Sequence, residues 1–364
     1  MRTYTMKYLL CIVALCAMSQ AHAEDVIRVL NWNDYIEPTL LDKFEQQTGV
    51  RVDYQTFEEG QELIAAMKGE ESYDIVVPSH YMLKQMIAEQ ALMPIDNSKL
   101  KNYNNLDIWL VSVLASIPRA SEHAVPYLWG ANGLAVNVPL AEAALGENVP
   151  QSWALLFDES YASRLSSCGL GMLAAPEEVA SVLMNFHGRR LSGSTSRKIA
   201  RTFESIDYLR NSVSEINNWE HVEALAQNKI CVALTWGGNA LFAMAENPDI
   251  QFWIPEAGSS IFIDTLAIPS NAPNPDLAYQ FIDFLMEPEN AILNATASNF
   301  YPTVSSESAE MQAFTEANPY QVMTVEQRRR SYLLESLTEE QKSAVDQAWE
   351  RFVSPRQEPQ ATAE

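Results

Sequence analysis

Between residues 26 and 78 short runs of β-forming residues alternate with amphipathic helical stretches, and this alternation leaves few folds open. Residues 26–31 read as a strand. Pro38 then opens a helix that carries Leu40, Leu41 and Phe44 and closes near Gly49, because proline suits a first helical turn and glycine a left-handed stop. Residues 51–56 form a second strand, 63–67 a helix and 74–78 a third strand. Parallel strands need helical crossovers, so this βαβαβ order predicts an α/β fold on a largely parallel sheet. In such sheets ligands bind beyond the carboxyl ends of the strands. Trp32, Asp34 and Tyr35 fall at the first such end, and Ser79 and Tyr81 at the third.

The same style returns between residues 130 and 260. Pro176 starts a helix through Glu177, Glu178, Val182 and Phe186, and one long helix is expected over 196–210. Residues 230–235 and 250–255 read as strands around a helix at 239–245. A strand over 261–268 precedes a long helix after Pro275 that carries Tyr279, Phe281 and Phe284. The polar segment 354–364 is expected to be disordered. A chain of 364 residues accommodates two domains of ordinary size.

The amino terminus reads as a secretory leader. Arg2 and Lys7 precede an apolar run from Tyr8 to Met18, and Ala21-His22-Ala23 forms a small-x-small site, so cleavage is expected after Ala23. The run is shorter than the roughly 20 apolar residues that span a bilayer, and Leu15 before Cys16 does not suit a lipoprotein site. An exported, soluble protein is expected. Cys11 and Cys16 leave with the leader; Cys168 and Cys231 remain. In an oxidising compartment two cysteines favour one disulfide over free thiols. A zinc site is the alternative, but His80, His123, His187 and His221 show no ligand spacing, so no metal is expected.

The formal charge is -23, and removal of Arg2 and Lys7 with the leader makes it -25. Such a surface repels the phosphates of nucleic acid and attracts polycations. An indole, a carboxylate and a phenol at one strand end suit an organic cation: the carboxylate neutralises it and the rings attract it and cover its methylenes. Read alone, the same tripeptide is equally two core aromatics and a helix cap at Asp34. Asp264 is harder to explain structurally, since a carboxylate inside an apolar strand needs a partner. Glu178 alone fits a helix dipole, Trp236 a turn, and Glu256 with Arg328, Arg329 and Arg330 a solvated face.

Seven ordered segments resemble the spermidine/putrescine-binding periplasmic proteins of bacterial polyamine uptake, over nearly the whole mature length. They are Asn31-Trp32-Asn33-Asp34-Tyr35-Ile36, Tyr73-Asp74-Ile75-Val76-Val77-Pro78-Ser79, Val125-Pro126-Tyr127-Leu128-Trp129-Gly130, Pro176-Glu177-Glu178-Val179, Ala233-Leu234-Thr235-Trp236-Gly237-Gly238, Phe262-Ile263-Asp264-Thr265-Leu266-Ala267-Ile268-Pro269 and Tyr301-Pro302-Thr303. The resemblance implies a two-lobed type II periplasmic-binding-protein fold. Each lobe is a mostly parallel sheet flanked by helices, with the ligand in the interlobe cleft. It implies a first lobe of residues 24–127 and 262–309 and a second of 128–261 and 310–353. Carried over position by position, it implies ligand contacts from Trp32, Asp34, Tyr35, Ser79, Tyr81, Glu178, Trp236, Phe262, Asp264 and Tyr301. It also supports the Cys168–Cys231 pairing, because putrescine-binding members have cysteines at matching offsets before the Glu178 and Trp236 positions.

Two positions depart from the pattern. Spermidine-binding relatives carry aspartate where this chain has Ala175, and putrescine-binding relatives carry aspartate where it has Asn239. The segment after Tyr320 does not align clearly, and no contact is carried over from it. Asp34, Glu178 and Asp264 leave three carboxylates, which match a triamine such as spermidine or norspermidine. The resemblance implies a monomeric binding protein without cofactor that delivers a polyamine to an ABC transporter permease. A sensor reporting to a membrane signalling receptor is the alternative. An exported hydrolase is the remaining one, and the sequence holds no assembled nucleophile or acid–base motif for it, so no enzyme is expected.

Overall fold

The computed structural model describes residues 25–354. The expected leader, its cleavage site and the polar tail beyond residue 354 lie outside the described residues.

Strands β1 (Val26–Trp32), β2 (Arg51–Phe57) and β3 (Ile75–Val76) pair in parallel, with β1 in the middle. The Pro38–Thr48 helix between the first two begins at Glu37, whose carboxylate accepts the Thr39 amide at 3.2 Å. Gly49 ends it with φ 73°, a conformation open to glycine at little cost, and Leu40 and Phe44 are its buried face. Asp34 is therefore not the cap of this helix. The third strand is shorter than the expected 74–78, although the Asp74 and Val77 amides on either side of it still donate to the Arg28 and Leu30 carbonyls of β1.

Strand β4 (Ala124–Asn137) is the longest, and every one of its 14 residues is buried. The second half of the chain adds β5 (Leu170–Met172), β6 (Val213–Ile216), β7 (Val232–Trp236), β8 (Ile250–Trp253) and β9 (Ser260–Ala267). From Ala124 to Ala131 β4 runs antiparallel to β9, and from Asn132 to Val136 antiparallel to β7. The order across the sheet is β2-β1-β3-β9-β4-β7-β5-β6, with β5 parallel to both β6 and β7. Two parallel groups thus flank an antiparallel pair that belongs to both. The boundary expected between Tyr127 and Leu128 falls inside the continuous β4. Short β10 (Tyr301–Pro302) pairs with β4, and β11 (Tyr332–Leu333) with β9.

Each parallel group has its own core. Phe44, Tyr127, Phe281 and Phe284 lie in one, and Trp153, Leu156, Val182 and Phe203 in the other. Cys168 and Cys231 are joined, with Cα atoms 5.5 Å apart, and tie the entry of β5 to that of β7. The helix expected over 196–210 is interrupted: Ser196–Glu204 is helical, and a 3-10 turn follows at Asp207–Asn211. Ile206 leaves helical geometry, and the bend brings Ile206 and Leu209 into the core with no exposed surface. No helix among the described residues is long and apolar enough to cross a membrane. No group of three His, Cys, Asp or Glu side chains among them could hold a metal ion.

Candidate ligand-binding site

Asp264 lies in the middle of β9, 4% exposed, between apolar neighbours. The Tyr35 hydroxyl donates to its Oδ2 at 2.6 Å and the Ser79 hydroxyl to its Oδ1. The end of β1, the turn after β3 and the centre of β9 therefore converge on one carboxylate. Burial pushes its pKa up to about 6, against the opposing pull of the Ser79 and Tyr35 hydrogen bonds. Tyr35 is held from behind by the Tyr127 hydroxyl, which donates to the Tyr35 carbonyl at 2.6 Å. Burial, and then the Asp264 charge, raise the Tyr35 phenol well above its ordinary value, so it stays a donor.

A second carboxylate comes from the other parallel group. Pro176 opens the Pro176–Phe186 helix and sets Glu178 in its first turn, where Trp236 Nε1 at the end of β7 donates to Glu178 Oε2 at 2.7 Å. Glu178 is only partly buried as a residue, yet loss of water around it dominates its titration and pushes its pKa up to about 7. Hydrogen bonds from Trp236 and Asn132 oppose that rise, and the Asp264 charge adds to it. Tyr81 is raised first by burial and then by the charges of Glu178 and Asp264. The two carboxylates and Tyr81 thus share one electrostatic environment.

Aromatic rings surround this pair. Phe262 lies over Gly130 so closely that a Cβ there would meet its Cζ at 2.5 Å, which only glycine permits. Phe300 packs against Tyr35 at 4.9 Å and Phe262 at 5.9 Å between ring centroids. Tyr301 is fully buried, edge-on to Trp129 at 4.9 Å, and its hydroxyl reaches Gly237 beside Trp236. Trp32 packs on Phe57 at 4.4 Å and keeps a buried Nε1 without a hydrogen-bond partner.

The profile of the bacterial extracellular solute-binding protein family matches residues 39–321. The chain belongs to that family. Among its relatives, the putrescine-binding periplasmic protein SpuD of Pseudomonas aeruginosa is 32% identical over 284 residues, 76% of this chain and 77% of that protein. The spermidine/putrescine-binding periplasmic protein of Salmonella typhimurium is 30% identical over 278 residues, 75% of this chain and 77% of its own. The solved TpPotD lipoprotein of Treponema pallidum matches with a TM-score of 0.78 at 25% identity, over 90% of this chain and 99% of that one. The fold is the two-lobed type II arrangement of periplasmic binding proteins. These relatives and this fold are those of solute-binding proteins, not of enzymes.

Within this solute-binding protein the expected site residues do not all meet. Asp34 is exposed, with φ 53°, and its carboxylate accepts from the Asn33 side-chain amide at 3.4 Å. Asn239 is buried, and its amide donates to the Asn218 carbonyl at 2.8 Å. Ala175 is the N-cap of the Pro176–Phe186 helix and provides no side-chain cap. The run expected as a solvated face is not one at Arg328. Its guanidinium binds Asp107 at 2.6 Å over the rings of Trp109 and Trp129, because Asp107 is buried and needs a counter-charge.

Sequence reasoning missed Asn132, Phe300 and the C-terminal segment. Ser336 donates to the Tyr81 carbonyl at 2.9 Å, and the Leu334 carbonyl lies 2.6 Å from His80 Nε2. The Ile263 amide donates to His80 Nδ1 at 3.1 Å, so Nδ1 is the bare nitrogen and Nε2 carries the proton. Burial lowers the His80 pKa to about 4, and this neutral ring clamps the Ser79–Tyr81 turn between β9 and the C-terminal segment.

Proposed function

We propose that the protein captures a linear polyamine in the cleft between its lobes and delivers it to an ABC transporter in the membrane. The observation that carries this reading is the pair of buried carboxylates, Asp264 and Glu178. Among the described residues neither has a basic side chain in ion-pair contact, and each is set by neutral donors from the ring of aromatic groups. Buried carboxylates without counter-charge are costly, and a ligand bearing an ammonium at each end removes that cost. Trp32, Tyr35, Tyr81, Trp236, Phe262 and Tyr301 then cover the methylenes between. The polyamine names of the relatives support the same class.

Two buried carboxylates match two buried ammonium groups, as in a diamine or at two nitrogens of a triamine. Spermidine and norspermidine remain in this reading with their third nitrogen towards Asp34 at the exposed end. Export to the periplasm with cleavage after Ala23, a monomeric state, and lobes of 24–127 with 262–309 and 128–261 with 310–353 belong to the same proposal. Ligand-driven closure creates the surface that a permease recognises; a signalling receptor would read that same surface. Calorimetric titration of the unfolded, stripped and refolded mature protein with putrescine, cadaverine, spermidine and norspermidine tests it. Saturable one-to-one binding is expected, and no binding to any of the four overturns the reading.

A further inference from the structure

Asn132 is 1% exposed, and its side-chain oxygen is buried without a hydrogen-bond partner. Asn132 Nδ2 donates to Ser260 Oγ at 2.7 Å. Ser260 sits beside Tyr332, whose hydroxyl donates to the Ser181 carbonyl at 3.2 Å. With Nδ2 committed to Ser260, Oδ1 is left open.

Its place in the fold gives the open oxygen a meaning. Asn132 is the first residue of β4 to pair with β7, opposite Trp236, while Gly130 two residues earlier pairs with Phe262 on β9. It therefore lies where β4 passes between the lobes, flanked by two aromatic groups of the site, and its amide hydrogen-bonds towards Glu178. A neutral acceptor beside a carboxylate suits a group that is both cationic and a hydrogen-bond donor. The unpartnered Trp32 Nε1 is a donor and has the wrong polarity for such a group.

We infer that Asn132 contacts the ligand directly, its Oδ1 accepting an N–H from the ammonium group that Glu178 neutralises. The inference rests on the polyamine reading above. It assigns this end of the site to a protonated amine that keeps several N–H bonds, since a carboxylate alone satisfies charge but not every donor. Dimethylation of each nitrogen removes two of its three N–H donors and leaves the charge.

The test compares putrescine with its N,N,N′,N′-tetramethyl derivative by calorimetry, on the native sequence and on Asn132→Leu and Asn132→Ser. The native protein should prefer putrescine, and each variant should lose about tenfold or more in putrescine affinity and narrow the preference by a similar factor. Serine is small and polar, so Asn132→Ser provides the readout if leucine disturbs folding. A native protein that binds no amine overturns the polyamine reading and this inference with it. Amine binding with unchanged affinity and preference in a folded variant overturns this inference alone.

Discussion

Tyr35 and Asp264, 229 residues apart in the chain, meet through a 2.6 Å hydrogen bond from the phenol to Oδ2. Ser79 donates to the other carboxylate oxygen, so two neutral hydroxyls hold the anion in place without cancelling its charge. In the proposed site this arrangement would aim the carboxylate before a ligand arrives.

Asp264→Asn keeps the shape and removes the charge. Amine affinity should fall tenfold or more, because a buried ammonium loses its counter-charge. The melting temperature of the ligand-free protein should hold or rise, since a costly buried charge has gone. Calorimetry and thermal melts read the two effects separately, and intact affinity in a folded variant removes Asp264 from the site.

Protons should leave as the ligand binds. Glu178 and Asp264 titrate near 7 and 6 in the folded protein, above ordinary values of 4.5 and 3.8, because burial penalises their charged forms. An ammonium favours those charged forms, so affinity should rise from pH 5.5 to 8. Titrations near pH 6.5 in buffers of different ionisation enthalpy should reveal released protons. Without ligand the sign reverses for stability. Between the unfolded and folded pKa values the folded state holds more protons, so stability present below about pH 4 is lost as pH rises towards 7. Glu178→Gln should remove about half of that slope, since Asp264 carries a shift of similar size; a variant with the same slope would assign it elsewhere.

Ala175→Asp separates capping from recognition. Asp at this N-cap should stabilise the Pro176–Phe186 helix, by about 0.5–2 kcal/mol. If the position also faces the ligand, the ranking of putrescine, spermidine and norspermidine will change. A higher melting temperature with an identical ranking makes it a cap only.

Arg328→Met should destabilise the protein by about 3–5 kcal/mol in urea denaturation, because it strands the buried carboxylate of Asp107. Asp107 also caps the Ile108–Ala115 helix through the Trp109 amide at 2.9 Å, so it cannot readily turn to solvent. A loss below about 1 kcal/mol would show the pair to be no better than an exposed one.

The elements with their own local signals were legible in the sequence. Pro38 and Gly49 bound the first helix as expected, Pro176 opened another, and the acid in the apolar β9 marked Asp264. β4 carries no such signal: buried on both faces, it shows no alternation, and its length emerges only from pairing with β9, β7 and β8. Arg328 looked like a solvated cation because its partner lies 221 residues away. Asn132 was within reach of the argument used for Asp264, as a polar residue in an apolar run. Its amide carries no charge, and only the unpartnered Oδ1 distinguishes it from a satisfied core asparagine.

The continuity of β4 also governs how the cleft opens. A strand bonded to β9 along one stretch and to β7 along the next has no slack in which a loop could swing. Rotation of one lobe against the other has to wring the strand near Ala131 and Asn132, where its partner changes. Movement of one lobe against the other would therefore fall on the backbone of β4 and of β9 beside it, not on a connecting loop.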